Sequence, residues 1–179
     1  MEKKGTTGIR KINIEPVPQR EDFDCGPAAV CTFLLFLGRD DLLKSDIYRK
    51  VGYDRDVGTL VENITGFFDE EKLEYEEMVG ATLADLEECL DTGRVCLVDY
   101  QAWGTEAEKE AMVCGHYSVV FYMDENEVWL IDPSFDYELE PGQGVGVVRR
   151  NREMFDKWWT DGEDGSLYDH WMVSAQIRH

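Results

Sequence analysis

The longest apolar stretch of the chain, AAVCTFLLFL at 28–37, shows no polar face at helical spacing, so it predicts a helix buried nearly all round. Pro27 suits the first turn of that helix and Gly38 suits its end, which places Cys25 just before the helix begins. Upstream, the alternation in IRKINI at 9–14 predicts a short strand, and Pro16 and Pro18 hold the chain extended as far as Gln19. Three shorter helices are expected downstream. Ser45 opens one that runs through Tyr48 to Val51. Thr59 with Glu62 makes a capping-box pattern for a second, reaching about residue 71, and Thr82 with Asp85 repeats the pattern before LADLEECL, which Gly93 stops.

Period-2 and continuous apolar runs take over in the second half. LEYEEM at 73–78 can form a strand, RVCLVDY at 94–100 reads as a buried one, and HYSVVFYM and EVWLID are strand-like runs joined by DEN at 124–126, a hairpin signal. RNREMFDKWW at 150–159 is helix-like and WMVSAQI at 171–177 is a last strand. Helices gathered early and an antiparallel sheet late predict an α+β fold. With 179 residues and no linker, low-complexity tract or internal repeat, residues 1–179 read as one domain around one substantial core.

Charge narrows the function classes. Lys plus Arg number 18 against 38 for Asp plus Glu, a net charge of -20 that repels phosphate backbones and anionic lipid, so neither nucleic acid nor a membrane is an expected partner. The acidity is spread along the chain, as on a solvated surface, rather than gathered in a tail. No apolar signal region follows the N-terminal lysines, and the run at 28–37 is too short to span a bilayer; a soluble, cytoplasmic protein is expected. Five cysteines, an odd count with no CxxC pair, fit reduced thiols better than disulfides or a structural zinc, and no metal or other cofactor is expected. Cys31, Cys89 and Cys96 read as small buried hydrophobes. Cys114 reads as a strand-end core residue ahead of its alternative, a second reactive thiol.

The hairpin allows a geometric count. If its turn centres on Glu125, residues whose numbers sum to about 250 face each other, so His116 falls opposite Ser134 and Asp132 opposite Ser118. Residues two apart on a strand share a face and lie roughly 7 Å apart along it, which makes His116 and Asp132 diagonal neighbours on one face. A cysteine at a helix start, a histidine and a carboxylate able to hold that histidine are the residue types of nucleophilic cysteine catalysis. A helix N-terminus and an adjacent imidazolium favour the thiolate of Cys25, His116 then protonates a leaving amine, and Asp132 fixes the tautomer and favours the charged ring. Gln19, six residues before Cys25 on an extended segment, can present a side-chain amide beside the backbone N–H of Cys25 as an oxyanion donor.

Gln19, the DCG at 24–26 leading into an apolar helix, GHYSVV with His116 and LIDPS with Asp132 together resemble the bacteriocin-processing, double-glycine peptidases, family thirty-nine of the papain-like cysteine peptidases. The similarity takes in GTL at 58–60, the LADLEECL helix before a buried strand ending near Trp103, and FDKWW after Asp132, which covers roughly residues 12 to 160. It implies a papain-like fold in which a buried central helix carrying the cysteine packs on an antiparallel sheet. It also implies Cys25 as nucleophile, His116 as base, Asp132 as its orienter and Gln19 as oxyanion donor. The expected activity is a cysteine peptidase or amidase acting on a peptide or small amide through a Cys25 thioester. Two alternatives stay open: an acyltransferase or transpeptidase that uses the same thioester, and a non-catalytic peptide-binding domain.

Overall fold

In the computed structural model, residues 7–9, 13–134, 146–163 and 166–178 are described. A two-residue strand, β1 (Thr7–Gly8), precedes helix α1 (Cys25–Phe36), then α2 (Lys44–Val51) and α3 (Val61–Glu70). Strand β2 (Glu76–Met78) leads into α4 (Leu83–Asp91), β3 (Arg94–Gln101) and a short α5 (Glu106–Glu110). The hairpin of β4 (Gly115–Met123) and β5 (Glu127–Ile131) follows, then β6 (Val147–Asn151), α6 (Arg152–Trp158), β7 (Thr160–Glu163), β8 (Ser166–Asp169) and β9 (Met172–Gln176). Seven strands form one antiparallel sheet in the order β2-β9-β3-β4-β5-β6, with β1 added to β4. The separate hairpin β7-β8 stands outside it.

Burial explains why α1 shows no amphipathic pattern: every residue of Cys25–Phe36 except Leu35 is buried. Its body packs on one face of the sheet with Leu97, Val119, Phe121 and Val173 and with Ile64 and Phe68 of α3. The alternate residues Cys96, Val98, Tyr100 and Val120 turn to the opposite face, where Leu86 and Leu90 of α4 and Phe155 with Trp159 cover them. Covered on both sides, β3 and β4 read as continuous apolar runs rather than as alternating ones.

Local chemistry accounts for several boundaries. The Thr82–Asp85 capping box forms in full at the start of α4, and Gly93 adopts φ 78 just after its end. The Asp124 side chain accepts from the backbone N–H groups of Asn126 and Glu127, both at 2.9 Å, and so closes the DEN turn. No such box starts α3: Leu60 is its N-cap, and the Thr59 hydroxyl donates to the Gly52 carbonyl at 3.0 Å instead. The strand expected at 73–78 shortens to β2, and the helix expected at 150–159 begins at Arg152, where the Asn151 side chain caps it after an unforeseen strand, β6. The alternation at 9–14 falls largely on 10–12, outside the described residues.

Candidate active site

Cys25 is the first residue of α1 rather than the residue before it, and Pro27 is the third. Asp24, fully buried, is the N-cap but does not cap the helix amides. Its carboxylate turns back to accept from the N–H groups of Arg20 (2.9 Å) and Glu21 (3.1 Å), which closes the loop that follows Gln19. The first intrahelical bond runs from Ala28 N–H to the Asp24 carbonyl, so the N–H groups of Cys25 and Gly26 have no carbonyl four residues back to bind and stand at the positive end of the helix. Gly26 is required by packing, because a Cβ there would lie 2.4 Å from the Thr59 hydroxyl oxygen. Cys25 is only 8% exposed and lines a cleft.

His116 is the second residue of β4 and is buried. Val119 pairs with Ile131 and Val120 with Leu130, a register sum of 250; a bulge at Phe121 shifts the pairs nearer the turn to 251. Continuing the 250 register sets His116 diagonal to Asp132, and His116 Nε2 donates to Asp132 Oδ1 at 2.6 Å. That same oxygen accepts from Ser134 N–H at 2.8 Å, and Asp132 N–H donates to the Gly146 carbonyl at 2.8 Å, so the carboxylate is fixed from both sides. The exposed indole of Trp103 meets the imidazole edge to face, ring centroids 4.7 Å apart.

Burial opposes a charged imidazole, yet the negative charge and hydrogen bond of Asp132, reinforced by Cys25, outweigh it and push His116 up to about 9. With Nε2 held by Asp132, Nδ1 is the ring nitrogen left to face the Cys25 sulfur, whose interaction with the ring helps keep it charged. Cys25, His116 and Asp132 are thus brought together at one end of the sheet.

Gln19 is tied to the same end through its backbone, whose N–H donates to the Pro133 carbonyl at 2.8 Å. Its side chain is not joined to Cys25: Nε2 donates to the Glu21 carbonyl at 3.0 Å, which leaves one amide N–H uncommitted. The remaining thiols differ from Cys25 in setting. Burial pushes Cys31 up to about 12 and raises Cys114, which is core rather than a second reactive thiol. Cys89 and Cys96 are free thiols that share a hydrogen bond, which lowers Cys89 to about 6 and, with burial, raises Cys96. Among the described residues no group of three or more His, Cys, Asp or Glu side chains is placed to hold a metal ion, and no helix is long and apolar enough to cross a membrane.

Cys25 opens into a cleft of about 360 Å³, whose lining includes Asp22, Arg55, Trp103, Gly115 and Asp161. Asp161, with Asp99 and Gln101 behind it, escaped the sequence reading. One signal was there to use: Asp99 is a charge inside the apolar run RVCLVDY.

No family model matches the sequence, and no curated protein matches it. Solved structures do. The peptidase domain of Streptococcus ComA, a bifunctional ABC transporter of a quorum-sensing pathway, aligns over 91% of this chain and 97% of its own at 18% identity, with a TM-score of 0.60. A double-glycine-motif protease from an AMS/PCAT transporter, solved with its leader peptide, aligns over 96% of both chains at 17% identity and TM-score 0.60. A protein from Bacillus anthracis named as a C39-like peptidase covers 97% of this chain and 98% of its own at 13% identity, with a TM-score of 0.69. The fold is therefore that of papain-like C39 peptidase domains, with helices packed on an antiparallel sheet.

Proposed function

We propose that the chain is a cysteine peptidase or amidase that opens a peptide or small amide through a thioester on Cys25. The carrying observation is the 2.6 Å contact of His116 Nε2 with Asp132, which leaves Nδ1 to face the sulfur of Cys25, a residue that lines the cleft. Nδ1 takes the thiol proton, and the sulfur attacks the substrate carbonyl. Charge developing on the carbonyl oxygen meets the backbone N–H of Cys25 and the uncommitted amide N–H of Gln19. Collapse of the tetrahedral intermediate breaks the C–N bond as Nδ1–H protonates the leaving amine. Water, losing a proton to Nδ1, then attacks the thioester; the acid departs and the thiol is restored. Asp132 holds the ring by its Nε2–H throughout and balances the imidazolium charge. A peptide as substrate accords with the leader peptide bound by one protein of this fold.

The test is Cys25→Ala, assayed on a fluorogenic peptide library with circular dichroism as the check on folding. Turnover should vanish while the spectrum stays that of the parent. An unchanged rate in the folded variant would exclude this site. Mass spectrometry of rapidly quenched reactions should show the acyl group on the Cys25 peptide, and its decay in water against its decay with added amine tells hydrolysis from acyl transfer.

A further inference from the structure

Asp99 lies in β3 with no exposure at all, and Asp161 of β7 is only 7% exposed. Buried carboxyls are costly unless they are bound, so what binds these two matters. Asp99 and Gln101 are two apart on β3 and share a face; across the ladder they stand opposite Tyr117 and Gly115, either side of His116. Asp99 Oδ1 accepts from the backbone N–H of His116 at 3.0 Å. Gln101 Oε1 accepts from the backbone N–H of Cys114 at 2.9 Å. Gln101 Nε2 in turn donates to Asp161 Oδ1 at 2.6 Å and to the Thr160 carbonyl at 3.2 Å. The other Asp161 oxygen lies over Gly115, where a Cβ would come within 2.0 Å of it. Both backbone positions flanking Gly115 are therefore pinned by β3 side chains, one of which, Gln101, Asp161 holds in turn.

Resting on the peptidase reading above, we propose that Asp99, Gln101 and Asp161 act as positioning residues that fix the backbone from which the His116 ring projects, Asp161 acting through Gln101. Burial raises Asp161, and the hydrogen bonds from Gly162 N–H and Gln101 only partly offset this. The start of β4 needs such pins. Gly115 has no side chain to pack there, yet His116 must meet a sulfur on one side and a carboxylate on the other, and a misplacement of about 1 Å can cost roughly a hundredfold in rate. Neither carboxyl touches the reacting atoms.

Asp161→Leu, of similar shape but unable to bond, separates this role from plain stability. The readouts are kcat and KM on a peptide the parent cleaves, and the pH profile of iodoacetamide labelling at Cys25, resolved by peptide mapping. Expected are a fall in kcat of about tenfold or more with KM little changed, and a displaced labelling profile. Asp161→Asn, whose amide oxygen can still accept from Gln101 Nε2, should recover most of the parent kcat. Parent-like kcat and labelling in Asp161→Leu would overturn the proposal, as would an Asp161→Asn variant no better than Asp161→Leu. A signature free of activity covers a variant that does not turn over: hydrogen exchange of the His116 and Cys114 backbone N–H groups should be slow in the parent and faster in Asp161→Leu and in Gln101→Ala. Exchange there unchanged in both variants also overturns it. Parent protein whose Cys25 labels no faster than in His116→Ala would instead sink the peptidase reading itself.

Discussion

Cys25 rides on a helix buried on nearly every side, whereas His116 projects from the start of a strand and is held by side chains of β3, by Asp132 and, beyond them, by Asp161. The thiol side of the cleft is held by apolar packing: Ala29, Val30, Phe33 and Leu34 are each no more than 1% exposed, and a rigid helix carries its first residue wherever its body is wedged. The imidazole side is held by polar bonds. A ring must be set in rotation as well as position, and oil-like contacts do not choose between its two nitrogens. Aiming a sulfur thus needs a well-packed helix behind it, while aiming a histidine needs directional partners.

Substitutions that separate the two sides should differ in kind as well as size. The largest effect on turnover is expected from Asp132→Asn, which keeps the shape but removes the charge that holds His116 up at about 9. Its kcat should fall on the order of a thousandfold or more. The pH profile carries the sign. In the folded parent the imidazolium persists until pH rises through about 9, against an ordinary value of 6.5, so the rate should fall on that alkaline limb. Stability that His116 contributes is fully present below pH 6.5 and lost between there and about 9. In Asp132→Asn the alkaline limb should move to lower pH; a limb left in place would mean that another group sets it. Gln19→Ala should be milder, with kcat down about a hundredfold and KM little changed, as for a donor used chiefly in the transition state. Equal loss in KM and none in kcat would make Gln19 a substrate contact instead.

The same contrast explains which parts of the molecule were legible in the sequence. Strong local signals survive folding: the unbroken apolar run of α1, the Thr82–Asp85 box and the DEN turn each carry their own chemistry within a few residues. The hairpin count reached the His116–Asp132 juxtaposition because the bulge at Phe121 lies nearer the turn than both residues and displaces the register by one only at the tip. Thr59 misled, because a hydroxyl that fits a capping box found a tertiary acceptor in Gly52. The pins behind His116 were illegible in another sense. Asp99 and Asp161 are 62 positions apart and belong to different sheets, and no local pattern announces that Asp161 meets Gln101, two residues along the strand from Asp99. Asp24 stands at the N-cap of α1, yet its carboxylate serves the preceding loop.

The apolar side of the comparison is tested by Phe33→Ala, from which the smallest effect on turnover is expected. Phe33 is fully buried in α1 and stacks on Phe68 of α3 with ring centroids 5.6 Å apart. Removing it deletes a large buried ring and leaves a cavity, at a cost of about 3–5 kcal/mol that a lowered urea midpoint at unchanged slope would report. If packing acts on the thiol only by holding the helix as a body, the molecules still folded should turn over at nearly the parent rate, because the helix start is also fixed by Thr59 against Gly26 and by the loop that Asp24 closes. A fall in kcat per folded molecule that tracks the lost stability would mean that the position of Cys25 is tuned residue by residue along α1, and the distinction between a packed side and a bonded side would fail.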